Sequence, residues 1–248
     1  MVDVVGGKAL VTCGWEDIPH LDAKTKTELM AATPPHLRDA RAHGKPSLGA
    51  GAIYPVALED ILCDPFAIPA YMPRAYALDV GWKRTACIWG AMDRSIDCLY
   101  LYTEHYRGQA EPSIHATAIK ARGVWIPGCI DPAARGRSQD DGKQLIWDYR
   151  QLGLDIVTAN NAVEAGIYDV WERLSTGRLK IFKTLQNAQA EYRLYRRNEK
   201  GAIVKEFDHL MDCMRYLCRM FNQIAKVQPA AGYSSGVSAT SGDSRAGY

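Results

Sequence analysis

Residues 74–82, RAYALDVGW, read as one short strand in which small and apolar residues lead to a single acidic residue, Asp79, followed by Val80 and Gly81. A carboxylate at the end of a buried strand is costly to desolvate unless something compensates it, and a bound cation is one such compensation. The other reading of an isolated Asp-Val-Gly is a turn cap before Gly81. The choice between them depends on whether the rest of the chain supplies further carboxylates in comparable places.

Two more strand-like segments follow closely, at 85–91 and 97–104, with turn material between them (Gly81-Trp82-Lys83-Arg84 and Asp93-Arg94-Ser95). Connections this short predict an antiparallel meander. A helix is expected over 111–121, with Pro112 suited to its first turn. The apolar run 124–130, VWIPGCI, is a short strand that ends at Asp131. A helix over 141–152, a strand over 154–159 and a helix over 163–174 come next. Residues 193–205, RLYRRNEKGAIVK, predict a hairpin turning at Asn198-Glu199-Lys200-Gly201. The last helix, 206–224, has Leu210, Met211, Met214, Leu217, Cys218 and Phe221 as its apolar side. Three antiparallel strands, then helix, strand, helix and strand, is the order of a ribonuclease-H-like α/β domain: a mixed central sheet flanked by helices.

Outside this region the pattern weakens. Residues 1–70 lack sustained periodicity apart from a helix over 18–32, with Asp22 or Thr25 near its start and Pro34-Pro35 as its stop. The Gly44-Lys45 pair is no phosphate loop, because Pro46 replaces the Ser or Thr and the G-x-x-x-x-G-K spacing is absent. From Val227 the chain is rich in Gly, Ser and Ala and is expected to be disordered. The expected organisation is a linker region at 1–70, an α/β domain at 71–225 and a tail at 226–248.

The 248 residues suffice for a large core, and 47% hydrophobic with 23% charged residues describes an ordinary globular protein. A net charge of +2 says little globally, so any nucleic-acid signal must come from local clustering. The seven cysteines (Cys13, Cys63, Cys87, Cys98, Cys129, Cys213, Cys218) include no C-x-x-C pair and sit mostly in apolar runs. That favours a reducing compartment over a disulfide framework or zinc site. There is no leader-like N-terminus and no apolar run near 18 residues, so a cytosolic protein without a membrane anchor is expected.

Asp79 ends the first strand of the meander, Asp131 ends the fourth strand, and Asp208 and Asp212 lie on one face of the last helix. In this topology the first and fourth strands are neighbours at the sheet centre, and a helix packed across the sheet could bring its acids to their ends. Converging carboxylates repel unless divalent cations lie among them. Two hard cations about 3.5–4 Å apart, bridged by carboxylate oxygens, are the two-metal arrangement for phosphodiester cleavage. The alternatives are a cap before Pro132 for Asp131, and a solvated face pairing with Arg215 for Asp208 and Asp212. Glu104, ending the third strand, is a reserve ligand, and Glu164 reads as a first-turn helix residue.

Between residues 178 and 205 there are eight Lys or Arg against Glu191 and Glu199, a net of +6, with Tyr192 and Tyr195 interleaved. This suits a hairpin that tracks phosphates, through Arg193, Arg196, Arg197 and Lys200, rather than base readout; a plain solvated hairpin is the alternative. Arg135, Arg137 and Lys143, in the loop after Asp131, would lie near a scissile phosphate, whereas Asp141 reads as a helix cap.

ALDVGW, YTEHYRG, IPGCIDPAARGRSQDDGKQL and FDHLMDCMRYL, in this order between about residues 49 and 219, resemble the nuclease domain of tailed-bacteriophage terminase large subunits. The resemblance implies a ribonuclease-H-like fold and Mg²⁺- or Mn²⁺-dependent cutting of double-stranded concatemeric DNA during genome packaging in the host cytoplasm. It also implies, as partners, the portal ring, the small terminase subunit and an ATPase motor domain. Its acidic triad maps onto Asp79, Asp131 and the last-helix aspartates, Asp208 weighed slightly above Asp212 and both retained. Many relatives carry Glu at the second position, where this chain has the shorter Asp131. No phosphate loop is present, so residues 1–70 are expected to be the end of a motor and its linker, and translocation is not expected of this chain. Another ribonuclease-H-like nuclease, of resolvase type, and a non-catalytic module docking on DNA or the portal are the competing readings.

Overall fold

The computed structural model describes residues 2–5, 8–11, 14–32, 42, 51–135, 144–198 and 200–230, with backbone alone for the first two segments, Ala32 and Arg135. A two-stranded antiparallel hairpin, β1 (Val2–Val5) and β2 (Lys8–Val11), opens the chain. Helix α1 (Ala23–Ala32) follows, and the Asp22 carboxylate accepts from the Thr25 amide at 2.7 Å, so the expected start signal is used.

The rest builds one seven-stranded mixed sheet. Its strands are β3 (Leu62–Cys63), β4 (Arg74–Asp79), β5 (Thr85–Asp93), β6 (Cys98–Arg107), β7 (Gly128–Ile130), β8 (Ile156–Thr158) and β9 (Leu179–Phe182), in the order β3-β9-β6-β5-β4-β7-β8. β4, β5 and β6 form the expected antiparallel meander, and β7 pairs parallel with β4. Between strands lie α2 (Leu58–Ile61), α3 (Pro112–Lys120), α4 (Leu145–Gln151), α5 (Val163–Ser175), α6 (Gln186–Leu194) and α7 (His209–Ile224). No described helix is long and apolar enough to cross a membrane.

Strand alternation separates two cores. Tyr76, Leu78, Cys87, Trp89 and Ile130 face the α3 and α4 side. Ala75, Ala77, Ala86, Ile88 and Cys129 face α5 and α7. The second face is lined by small residues, which lets α7 lie close to the sheet. At Gly90 a Cβ would come within 2.8 Å of Leu217 Cδ2 and 2.9 Å of Leu99 Cδ1, so any larger residue would require those leucines to shift. Helix α7 is sandwiched between sheet and neighbouring helices, which is why Arg215 and Tyr216 are buried along with its apolar side.

Three expectations change. β9 and α6 do not appear in the sequence reading, and the segment read as a hairpin from 193 begins inside α6. What remains is a short ladder, Arg197 opposite Ile203, around a turn at the expected residues, where Asn198 Oδ1 accepts from the Lys200 and Ala202 amides at 3.0 Å each. Within the stretch read as linker, Ile53, Tyr54, Leu58 and Ile61 join the larger core and β3 extends the sheet. At the other end Lys226 is paired with Arg74 through the backbone and with Asp155 through its ammonium; residues 231–248 of the expected tail lie outside the described residues.

Candidate functional site

Alternation places Asp79 on the same face as Ala75 and Ala77, and Asp131 on the same face as Cys129, the face covered by α7. Leu78 pairs with Ile130, so Asp79 and Asp131 occupy the next register position on neighbouring parallel strands, and the Asp131 amide donates to Leu78 O at 2.9 Å. The N-terminal turn of α7 then adds its own groups. His209 Nδ1 is 2.8 Å from Asp79 Oδ2, and the Tyr216 hydroxyl donates to Asp131 Oδ1 at 3.2 Å. Asp212 accepts from Arg215 at 2.9 Å on one oxygen and from Lys205 at 3.2 Å on the other. Asp208, the N-cap residue of α7, is buried with its Oδ2 2.9 Å from Lys205 Nζ.

The electrostatics identify which acids share a neighbourhood. Burial pushes the Asp79 carboxyl above the usual range; its hydrogen bond and charge interaction with His209 oppose this, and the charges of Asp131 and Asp212 add to the rise. Asp79, Asp131 and Asp212 also all act on the Tyr216 hydroxyl, which burial raises first. Asp208 acts on the neighbouring His209 imidazole and lies against Lys205. His209 is held above its ordinary value by its hydrogen bond to Asp79, against the effect of burial.

Among the described residues no three His, Cys, Asp or Glu side chains are gathered closely enough to hold a metal ion in this arrangement. The donor chemistry nonetheless fits a hard divalent cation: carboxylate oxygens from three elements, with no thiolate among them. Their charge is balanced here by His209, Lys205 and Arg215. The cap reading of Asp131 is seen directly: the same Oδ1 accepts from the Ala133 amide at 3.1 Å and caps the turn Pro132–Arg135. The pairing of Asp212 with Arg215 is likewise real, but Arg215 is 1% exposed rather than solvated.

Glu104 is no metal ligand here. It lies within β6, and its carboxylate accepts from the amides of Asn187 and Ala188 at 3.0 and 2.9 Å, capping α6. Glu164 sits in the first turn of α5 and pairs with Arg197 at 2.7 Å. The basic strip does not act as one surface. Arg178, Lys183, Arg197 and Lys205 are tied to carboxylates and Lys180 to the Asp60 carbonyl, which leaves Arg193, Arg196 and Lys200 as its exposed cations toward solvent near the short hairpin. The side chains of Arg135, Arg137 and Lys143 lie outside the described residues.

Two contributors escaped the sequence reading. His209 carried a legible signal, being the residue between Asp208 and the apolar run of the last helix. Glu191 carried none. It is 2% exposed, accepts from Tyr106 and from the Leu210 amide at 2.6 Å each, and so anchors the start of α7.

The mixed seven-stranded sheet flanked by helices is a ribonuclease-H-like fold. No protein-family model matches the chain. The large terminase subunit of Salmonella phage P22 is 30% identical over 227 residues, 85% of this chain and 45% of that protein. The chain thus spans about half the length of the curated relatives it matches. The solved P22 large terminase nuclease domain superposes with a TM-score of 0.67 at 29% identity, covering 73% of this chain and 97% of that one. The g2p large terminase nuclease domain of bacteriophage SPP1, solved with bound Mn, shares the fold at a TM-score of 0.50 and 14% identity, over 68% of this chain and 99% of its own. The chain is a homologue of phage terminase large subunits and corresponds to their nuclease domain.

Proposed function

We propose that this chain is the nuclease of a phage DNA-packaging terminase, an endonuclease that cuts double-stranded concatemeric DNA with two divalent cations, Mg²⁺ or Mn²⁺. The observation that carries the reading is the register-matched pair Asp79 and Asp131, faced by Asp212 across the α7 packing surface. The similarity to the P22 nuclease domain supports it, as does the bound Mn of the SPP1 domain as a property of that protein.

In this reading Asp79, Asp131 and Asp212 hold the cations, with Asp208 at the edge of the site. Bound there, the cations would supply Lewis-acid activation of water and stabilisation of the leaving oxygen. His209 orients Asp79, Tyr216 orients Asp131, and Arg215 orients Asp212. Arg193, Arg196 and Lys200, with Arg135, Arg137 and Lys143, are the proposed phosphate contacts. Arg197 serves the fold first, through Glu164 and the Gly201 carbonyl. The portal ring, the small subunit and an ATPase motor are the proposed partners, in the host cytoplasm.

Plasmid cleavage with Mg²⁺, Mn²⁺ or EDTA, wild type against Asp79→Ala, tests the proposal. Metal-dependent cutting that disappears in the variant is expected. Equal cutting by both proteins would remove the carboxylate site, and a wild type inert with either cation would favour a docking module.

A further inference from the structure

Lys205 sits between the short hairpin and α7, with Nζ 2.9 Å from Asp208 Oδ2 and 3.2 Å from Asp212 Oδ2. Its side chain is 63% exposed, whereas those two carboxylates are 9% and 13% exposed. The contact follows a strained turn. Phe207, between Lys205 and Asp208, adopts a φ of +54°, the left-handed region that disfavours a bulky residue. The Phe207 ring is 59% exposed, so packing of that ring does not offset the strain. The turn folds the ammonium back onto the acids.

Arg215, 1% exposed and fixed by Asn161 at 3.0 Å, donates to one Asp212 oxygen, and Lys205 donates to the other. A divalent cation drawing on Asp212 would share those oxygens with two positive groups, and its charge repels both. The buried, doubly tethered guanidinium stays, and the exposed, strongly hydrated ammonium is the one that returns to water at little cost.

We propose that Lys205 is an internal competitor for the divalent cations of the carboxylate site, occupying Asp212 and Asp208 until metal displaces it. The inference rests on the proposed nuclease reading of the same residues. Exposed ion pairs contribute little each, so Lys205 tunes metal affinity rather than blocking the site, by about 3- to 10-fold.

The test is direct Mn²⁺ titration of the full chain without DNA, with free Mn²⁺ read by electron paramagnetic resonance. It compares wild type, Lys205→Met, Lys205→Arg, Asp212→Asn and Asp79→Asn, each checked for folding by circular dichroism. Lys205→Met should bind Mn²⁺ about 3- to 10-fold more tightly than wild type, Lys205→Arg within about twofold of it, and the gap should shrink as salt rises. Equal or weaker binding by Lys205→Met, with binding lost in the aspartate variants, would overturn the competitor role and leave the metal site standing. Mn²⁺ binding absent from both wild type and Lys205→Met, or retained in both aspartate variants, would overturn the site itself and the inference with it.

Discussion

Asp212 is held from both sides, by buried Arg215 and exposed Lys205, and it shares a field with Asp79 and Asp131. Asp208 pairs with Lys205 and adds to the charge around His209, with no second cation on its carboxylate among the ion pairs of the described residues. Neutralising the two should therefore give unequal results. Asp212→Asn should lower cleavage by more than about 100-fold, since a metal ligand is worth several kcal/mol of transition-state stabilisation. It should also destabilise the fold, because removing one member of a buried ion pair costs about 3–5 kcal/mol. Asp208→Asn should cost less than about tenfold in rate, the scale of one exposed ion pair. Cleavage rates and urea melts of the two variants check this, and the assignment fails if Asp208→Asn is the inactive one. The four aspartates were legible in the sequence by position, but their ranking was not. It depends on which way the first turn of α7 faces, and that is set by Glu191, nearly twenty residues upstream, on the Leu210 amide.

At the scale of elements, the site depends on how closely α5 approaches α7. A Cβ on Gly166 would lie 2.4 Å from Arg215 Cγ, 2.9 Å from its Cδ and 3.2 Å from Arg219 Cδ. Gly166→Ala should thus push Arg215 off Asp212 and cost about 1–3 kcal/mol, the usual penalty for overpacking. A drop in thermal midpoint together with weakened cleavage is expected. A variant with wild-type stability and rate would show that Arg215 can yield without consequence. The elements missed in the sequence, β9 and α6, share a cause. β9, LKIF, is flanked by Arg178 and Lys183, and α6, QNAQAEYRL, is polar and runs into the arginines at 193–197, so both read as parts of a solvated basic strip. The tertiary structure shows those cations serving neighbours: Lys180 donates to the Asp60 carbonyl and Lys183 pairs with Asp64. Local charge is a poor guide to a strand buried between two others.

At the scale of the molecule, the two faces of the sheet behave differently toward acid. On the β6 and α3 side, His105 Nε2 and His115 Nδ1 lie 2.9 Å apart, one donating and the other accepting. Burial first, then the charges of His115, Arg122 and Arg107, lower the His105 value to about 4, and burial also lowers His115. The unfolded chain, titrating near 6.5, binds more protons than the folded one between those values. The stability from this pair is present above about pH 6.5 and is lost as pH falls toward 4, at most about 1.4 kcal/mol per pH unit for each proton. Urea melts between pH 7.5 and 4 should show this decline, shallower in His105→Gln. An unchanged slope in the variant would assign the acid sensitivity elsewhere. Residues 51–63 lie in the stretch that lacks sustained periodicity, yet Tyr54 stacks with Tyr192 at 6.0 Å and Ile61 is fully buried.

By itself the sequence determined the meander, the neighbouring of β7 and β4, the last helix and the positions of the acids at strand ends and on that helix, because period-2 and period-3.6 patterns and strand-end carboxylates are local signals. Tertiary structure alone decided which acids share a field, which of the many cations are already neutralised, and that His209, Lys205 and Arg215 balance the cluster. Those outcomes follow from contacts between residues distant in the chain, or from a strained turn such as that at Phe207, whose energies appear only once α7 is packed on the sheet.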